Sequence, residues 1–338
     1  MDLVVTFIGT SASVPSAARG TSATLISRGG RRWLVDCGEG TQRQLLRSGV
    51  GLVDLDAVLI THLHGDHILG LPGMLKTFAL RGRGEPLLLI GPDGLADLMR
   101  TLHPLVGRLP FHLEVQESGA GEVLRDDGAV VRAFHTDHGV RSLGYALAED
   151  PRPGAFDVDA ARGLGVQPGP DFGVLQRGGE VVTPAGITVM PGQVMGEPRP
   201  GRVVVFSGDT RPCAGTEDAA RGADLLVHEA TFCDEDSARA VETRHSTARE
   251  AACLAARAGV AMLALTHVST RVQPREARRE AEAEFPGVIV PRDFDQVEIP
   301  LRERGAPRLI PVQERLGRAP RDTAVGSGGP ATVDGASL

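Results

Sequence analysis

Between residues 61 and 67 the chain reads Thr61-His62-Leu63-His64-Gly65-Asp66-His67, directly after the apolar run Ala57-Val58-Leu59-Ile60. Three imidazoles and a carboxylate at that density are poor material for a packed core or a solvated turn, and good material for holding metal. Imidazole nitrogen combined with carboxylate oxygen suits zinc, with Mn2+ or another first-row divalent ion as alternatives. His62 and His64, two apart, can reach one ion. Asp66 and His67 leave the loop in another direction and can reach a second. The stretch predicts a two-metal hydrolase; a histidine-rich surface loop is the bland alternative.

Further donors follow other short apolar runs. Val130 to Phe134 precedes His135 and His138, Val203 to Phe206 precedes Asp209, and Ala261 to Leu265 precedes His267. One metal is expected on His62, His64 and His138, and the second on Asp66, His67 and His267, with Asp209 bridging the two. A hydroxide between the ions is the expected nucleophile, because a bound metal lowers the pKa of water by many units. Two ions about 3.5–4 Å apart suit in-line attack on a phosphodiester, since entering and leaving oxygens are both stabilised. Each assignment has a duller rival. His138 is also an ordinary turn residue before Gly139, His135 competes with it, and Asp209 can cap a turn with Thr210. Asp36, after Trp33 to Val35, is expected with Thr61 to orient a ligand histidine, a capping role being the alternative.

Glu229 and His245 make a separate pair. If Glu229 accepts a hydrogen bond from one ring nitrogen of His245, the other can donate a proton to a leaving oxygen, and the pairing raises the imidazole pKa. A hydrogen bond at the start of the following helix is the plainer reading. Gly9-Thr10-Ser11 is no phosphate loop, since the glycine spacing and the lysine are missing. Phe78, Phe111 and Phe134 read as core.

The elements that must position these residues are short strands, each ending in a chemically loaded residue: Leu3 to Ile8, Thr24 to Ile26, Trp33 to Val35, Ala57 to Ile60, Leu87 to Ile90, Val130 to Phe134, Val203 to Phe206, Leu225 to Val227 and Ala261 to Leu265. Helices are expected at Ile68 to Leu80, perturbed early by Pro72 and Gly73, and at Leu95 to Leu102. The clearest is Ala248 to Ala258, with Thr247 and Glu250 as a capping box and Gly259 as terminator. This mixture predicts an α+β fold, an αββα sandwich of two mixed sheets flanked by helices. Periodicity alone does not separate that from a doubly wound parallel sheet. One domain is expected over residues 1–300. Residues 151–192 are rich in Gly and Pro and too long for a plain connection, and the arginine-containing tail 301–338 is expected to be largely disordered.

Composition sets limits. The 338 residues are 41% hydrophobic and 23% charged, ordinary for a soluble protein, and no stretch reaches membrane-spanning length. Cys37, Cys213, Cys233 and Cys253 form no framework, so reduced thiols and a cytoplasmic location are expected. Cys37 reads as a buried small hydrophobe more readily than as part of a metal pocket. The formal charge of −7 argues against indiscriminate nucleic-acid binding while allowing a local basic patch. Lys76 is the only lysine.

At this point the residues resemble those of the metallo-beta-lactamase superfamily and, within it, the ribonuclease Z branch of tRNA 3′-processing endonucleases. Thr61 to His67 matches the superfamily's HxHxDH signature. Ile8-Gly9-Thr10, Val35-Asp36-Cys37-Gly38-Glu39-Gly40-Thr41-Gln42, His138-Gly139-Val140 with Gly144-Tyr145, Ser207-Gly208-Asp209-Thr210-Arg211, His228-Glu229-Ala230-Thr231-Phe232, His245-Ser246-Thr247 and Leu265-Thr266-His267-Val268-Ser269 resemble the branch in order over about residues 1–300. The resemblance implies two Zn2+ per subunit, Asp66, Glu229 and His245 as catalytic residues, a homodimer, and a tRNA precursor cut after the discriminator nucleotide. It makes 151–192 a flexible arm that clamps tRNA, with Phe156 to Gly165, Pro168, Gly169, Pro170 and Arg177 as parts of it. The family arm usually carries lysines, whereas this one has only Arg152, Arg162 and Arg177 as basic residues. The rival readings are a small-molecule phosphodiesterase of the same dinuclear fold, and a binding protein with structural zinc.

Overall fold

The computed structural model describes residues 1–52 and 55–317. Two mixed sheets carry the chain. The eight-stranded sheet runs, in spatial order, Arg308–Ile310, Gln296–Glu298, Leu3–Gly9, Ala23–Arg28, Arg31–Val35, Ala57–Leu59, Leu87–Gly91 and Leu113–Glu117. From Arg31–Val35 onward its strands are parallel. The seven-stranded sheet runs Val288–Ile289, Leu263–Thr266, Leu225–Glu229, Val203–Phe206, Leu143–Glu149, Ala129–His135 and Gly121–Asp126. Its first four strands are parallel and the remaining pairings antiparallel.

Strand alternation builds the layers. Leu3, Val5, Phe7, Ala57 and Leu59 of one sheet meet Val204, Phe206, Leu225 and Val227 of the other in the central core. The intervening Val58 packs outward against Leu71, Met74 and Leu75 of helix Gly70–Leu80. Val205 and Leu226 pack outward on Ala251, Leu254 and Ala255 of helix Ala248–Ala258. Both faces of the central strands are therefore buried, which is why they read as unbroken apolar runs. This is the αββα sandwich of the metallo-beta-lactamase fold; a single doubly wound sheet is excluded by the two separate strand orders.

The helix expected at Ile68 to Leu80 is two, Gly65–Ile68 and Gly70–Leu80. The second begins at Gly70 because that residue lies on the Cys37–Gly38 backbone, where an added Cβ would stand 2.0 Å from a carbonyl oxygen. Cys37 itself is core, its Sγ 3.9 Å from Met74 Sδ. Helix Ala248–Ala258 has the expected capping box and ends at left-handed Gly259, φ 66°.

Two boundaries differ from the sequence reading. The tail begins later than residue 301: Arg308–Ile310 pairs with Gln296–Glu298, and Arg302 binds Asp224 at 2.8 Å. The short apolar pair Leu309-Ile310 is inconspicuous among arginines in the sequence. Disorder expected for the Gly326 to Pro330 region lies outside the described residues. The segment expected at 151–192 closes at Arg152 and Arg199, which exchange backbone hydrogen bonds of 2.8 Å. It folds on a small core of its own, Ala161, Val166, Leu175, Val181, Val189 and Val194. That core holds helices Val158–Gly163 and Pro170–Gln176 and a two-stranded hairpin, Val181–Val182 with Thr188–Val189.

The sandwich is pinned at the end where Val203–Phe206 starts. Glu149 accepts from Arg28 Nε at 2.8 Å and from Arg202 Nη2 at 2.7 Å, joining the last residue of a strand in each sheet. Burial opposes ionisation of Glu149, but the two guanidiniums outweigh it and hold its carboxyl at about 2.

Candidate metal centre

The opposite end of the same strands carries the site. Asp36 follows Arg31–Val35, His62 lies three residues beyond Ala57–Leu59, Asp209 follows Val203–Phe206, Glu229 ends Leu225–Glu229, and His267 follows Leu263–Thr266. A rigid sheet thus sets the spacing of groups far apart in sequence. The lone tyrosine, Tyr145, steadies the key strand by donating to the Ile60 carbonyl at 2.7 Å. Gly208 lets the Asp209 loop fold over Thr61: its φ is +60°, and a Cβ there would lie 2.9 Å from Thr61 Cβ. Asp36 and His267 also hold left-handed backbones, φ 60° and 53°, a conformation that non-glycine residues keep only where their surroundings enforce it.

Four donors around one zinc, each about 2.0–2.1 Å from it, stand about 3.3 Å apart in a tetrahedron. The protein presents two such sets. In the first, His64 Nδ1 lies 3.0 Å from His62 Nε2 and 3.2 Å from His138 Nε2. Asp209 Oδ2 stands 3.8 and 3.9 Å from the latter two. In the second, His267 Nε2 lies 3.1 Å from Asp66 Oδ2 and 3.4 Å from His67 Nε2, and His67 Nε2 lies 3.6 Å from Asp66 Oδ2. Asp209 Oδ2 is 3.3 Å from both imidazoles. One oxygen of Asp209 is common to the two sets. The residues therefore fit a dinuclear zinc centre, and the fold brings all seven residues expected as ligands together in it. His135 is exposed, outside the cluster.

Second partners fix which nitrogen each histidine offers. His67 Nδ1 donates to Asp36 Oδ2 at 2.7 Å, His138 Nδ1 to the Arg244 carbonyl at 3.0 Å, and His267 Nδ1 to Thr231 Oγ1 at 2.9 Å. His62 Nδ1 donates to Thr61 Oγ1 at 3.0 Å, while that hydroxyl donates to Asp36. Each bond leaves Nε2 bare toward the centre. Asp36 also accepts from Thr61 N–H at 2.8 Å, so Asp36 and Thr61 both stand directly behind the histidines of the cluster.

Charge is balanced inside the cluster. Burial disfavours ionised Asp209, but His267 and His67 outweigh it and hold the carboxyl well below its ordinary range. Burial likewise opposes ionised Asp66, but the adjoining His267 ring, then that of His67, outweighs it and holds the carboxyl below its ordinary range. Burial, then the neighbouring imidazole of His67, keeps His62 far below its ordinary value and so neutral, as a ligand must be.

Beside the cluster, His245 Nδ1 donates to Glu229 Oε1 at 2.8 Å. Glu229, buried, also accepts from Thr210 N at 2.9 Å, Thr231 N at 3.1 Å and Thr231 Oγ1 at 2.7 Å. Burial lowers the His245 pKa, but the Glu229 carboxylate outweighs it and raises the imidazole to about 9. The His245 ring lies 4.8 Å from that of His138, centroid to centroid, with Nε2 free of any protein partner among the described residues. The sequence reading missed Thr231, whose hydroxyl joins the His245–Glu229 pair to His267. It also missed Arg211, which donates to the His245 carbonyl at 2.7 Å and pairs with Glu250. Neither residue type announces such a role without coordinates. Pro168, Gly169, Pro170 and Arg177 are exposed on the 151–199 unit, and none belongs to the donor cluster.

Sandwich and donor set together define a dinuclear-metal hydrolase of the metallo-beta-lactamase fold. Comparison with known proteins narrows the class. The chain is 48% identical to ribonuclease Z of Myxococcus xanthus and 49% identical to that of Natronomonas pharaonis, in each case over 89% of this chain and 99% of the relative. The crystal structure of the short form of human tRNase Z is 30% identical, with TM-score 0.65, over 88% of this chain and 99% of that one. A family model described as anti-Pycsar protein Apyc1 matches residues 3–109 only, the part that holds the His62–His67 motif but none of the later donors. The metallo-beta-lactamase fold protein YhfI of Bacillus subtilis, 21% identical with TM-score 0.65, shares the fold. This chain belongs to the ribonuclease Z family. No helix of the described residues is long and apolar enough to cross a membrane.

Proposed function

We propose that this enzyme removes the 3′ trailer from tRNA precursors, cutting after the discriminator nucleotide to leave a 3′-hydroxyl on the tRNA and a 5′-phosphate on the trailer. The observation that carries the proposal is the pair of donor tetrahedra sharing Asp209 Oδ2, with the His245–Glu229 pair against them. When bound, two zinc ions supply Lewis-acid stabilisation of the phosphate oxygens and a nucleophilic water at neutral pH. His62, His64, His138 and Asp209 would hold one ion, and Asp66, His67, His267 and Asp209 the other. His245 keeps its proton at Nε2 and gives it to the departing 3′-oxygen. Glu229 holds the ring through Nδ1–H and stabilises its cationic form.

The 151–199 unit is the arm that grips the tRNA body, through the exposed Pro168-Gly169-Pro170 and Arg177 region, in a homodimer. The free thiols of Cys37, Cys213, Cys233 and Cys253 fit a cytoplasmic enzyme. The rival is a small-molecule phosphodiesterase on the same centre. A separately cored arm supports the RNA reading, since a small ester gives it nothing to hold. The test is cleavage of a 3′-extended tRNA precursor by zinc-loaded protein, with product ends mapped and an arm-deleted form alongside. A single arm-dependent cut after the discriminator is expected. Hydrolysis of bis(p-nitrophenyl) phosphate without any cut in the precursor transfers the enzyme to the rival reading.

A further inference from the structure

The arm brings little charge to an RNA partner. Of its arginines, Arg152 pairs with Glu303 at 2.9 Å and Arg162 with Asp159 at 3.9 Å. Arg177 alone is without a carboxylate partner among the described residues. A chain of net charge −7 must then find its phosphate contacts elsewhere, because the backbone phosphates supply most of the affinity for nucleic acid.

Two neighbouring surface hollows share Arg19. One is lined by Arg19, Arg43 and Arg47, the other by Arg19, Arg275, Arg278 and Arg292, and among the described residues Glu39 is the sole carboxylate lining either. All but Arg19 are exposed. Arg278 pairs with Glu282 at 2.7 Å; no ion pair to a carboxylate is formed by Arg43, Arg47, Arg275 or Arg292 among the described residues. Arg43 and Arg47 lie on helix Thr41–Arg47 beside the first sheet, while Arg275 and Arg278 lie on helix Pro274–Glu282, packed in the second sheet's outer layer through Ala277 and Ala281. The face thus straddles both halves of the sandwich. It also connects to the metal centre: Arg19 donates to Thr10 Oγ1 at 3.0 Å, and Ser13 N–H of the same loop donates to Asp66 Oδ2 at 2.8 Å.

We propose that this arginine face binds the RNA phosphate backbone adjoining the scissile bond. The inference rests on the tRNA reading above and assigns the electrostatic part of substrate binding to the body of the enzyme rather than to its arm. Guanidinium groups suit the task, since their planar donor forks match phosphate oxygens two at a time, and such contacts set register without reading sequence.

The test uses zinc-loaded, full-length protein with Arg43→Ala and Arg275→Ala combined. Kd for a 3′-extended tRNA precursor is measured by filter binding across a KCl titration spanning physiological ionic strength, beside wild-type cleavage of the same RNA. Each lost phosphate contact removes about 0.9 from the slope of log K against log salt, so two contacts remove about 1.8 and weaken binding about 30-fold at about 0.15 M salt. Arg221→Ala with Arg257→Ala removes the same charge from residues that line neither hollow, and is expected to keep the wild-type slope. Arg43→Lys with Arg275→Lys is expected to restore it, which separates lost charge from a folding defect. An unchanged Kd and slope in the alanine pair, or a lysine pair that fails to restore them, overturns the arginine face while wild-type cleavage upholds the tRNA reading. Wild-type protein that neither binds nor cuts the precursor overturns both.

Discussion

The substitution Asp36→Asn tests the claim that the buried carboxylate decides which nitrogen His67 offers. The two side chains have the same shape, and asparagine tolerates the left-handed backbone that Asp36 holds at φ 60°. In the native protein both oxygens accept: Oδ1 takes Thr61 N–H at 2.8 Å, and Oδ2 takes His67 Nδ1–H at 2.7 Å. In the variant the side-chain carbonyl must stay on Thr61, so the amide NH2 group faces His67 Nδ1. That nitrogen must then be the acceptor, which moves the ring proton to Nε2. Nε2 lies 3.3 Å from Asp209 Oδ2 and 3.6 Å from Asp66 Oδ2, and once protonated it cannot ligate. Restoring the productive tautomer sets N–H against N–H. Loss of such an orienting partner costs about 10–100-fold in metal affinity, or about 1.4–2.7 kcal/mol. Only the ion held by Asp66, His67 and His267 should suffer, because the Thr61 hydroxyl, which sets the His62 tautomer, keeps Oδ1 as its acceptor at 3.0 Å. Competition with a fluorescent zinc chelator, following both equivalents, measures it. Two equivalents bound with wild-type affinity would refute the tautomer argument, as would equal weakening of both.

Other perturbations are as direct. His245→Ala should keep both zinc ions and lower kcat on tRNA precursor by about 10²–10⁴-fold; an unchanged rate at equal zinc content removes the proton-donor role. Asp209→Ala takes away the one oxygen shared by the two donor sets, so less than two zinc per chain and no measurable cleavage are expected from metal analysis and assay. Glu149, held at about 2 against an ordinary 4.5, binds protons more readily when unfolded. Its stabilisation is therefore complete above about pH 4.5 and is lost as pH falls toward 2, amounting to about 2–3 kcal/mol with edge solvation allowed for. Urea midpoints of Glu149→Gln should lie below wild type at neutral pH and converge with it as the pH falls toward about 3; parallel pH profiles would disprove the linkage. Gly208→Ala should lower Tm and zinc affinity together, since its Cβ meets Thr61, and a wild-type melting curve would contradict that contact.

Much of the scaffold was legible because strands buried on both faces print as bare apolar runs. Ala57 to Ile60 and Val203 to Phe206 were visible for that reason, and helix Ala248–Ala258 was visible because its cap, Thr247 with Glu250, is a local device. The pair Leu309-Ile310 was not, since a three-residue edge strand has no period to detect. The break at Gly70 was missed because it answers to a backbone carbonyl contributed by Gly38, thirty-two positions earlier in the chain. The arm's small core was hidden by the same Gly and Pro content that made the segment conspicuous.

By itself the sequence determined which donors exist and where each leaves its strand, because ligand chemistry is a property of residue type and strand ends are written in local hydrophobicity. Tertiary structure decided how they combine. His67 and His267 become partners at 3.4 Å across two hundred residues, His64 turns its Nδ1 inward while the other imidazoles of the two donor sets turn Nε2, and a single oxygen of Asp209 is common to both sets. Those outcomes depend on how two sheets stack and on which carbonyl, hydroxyl or carboxylate lies behind each ring. No spacing within one segment encodes an angle between segments.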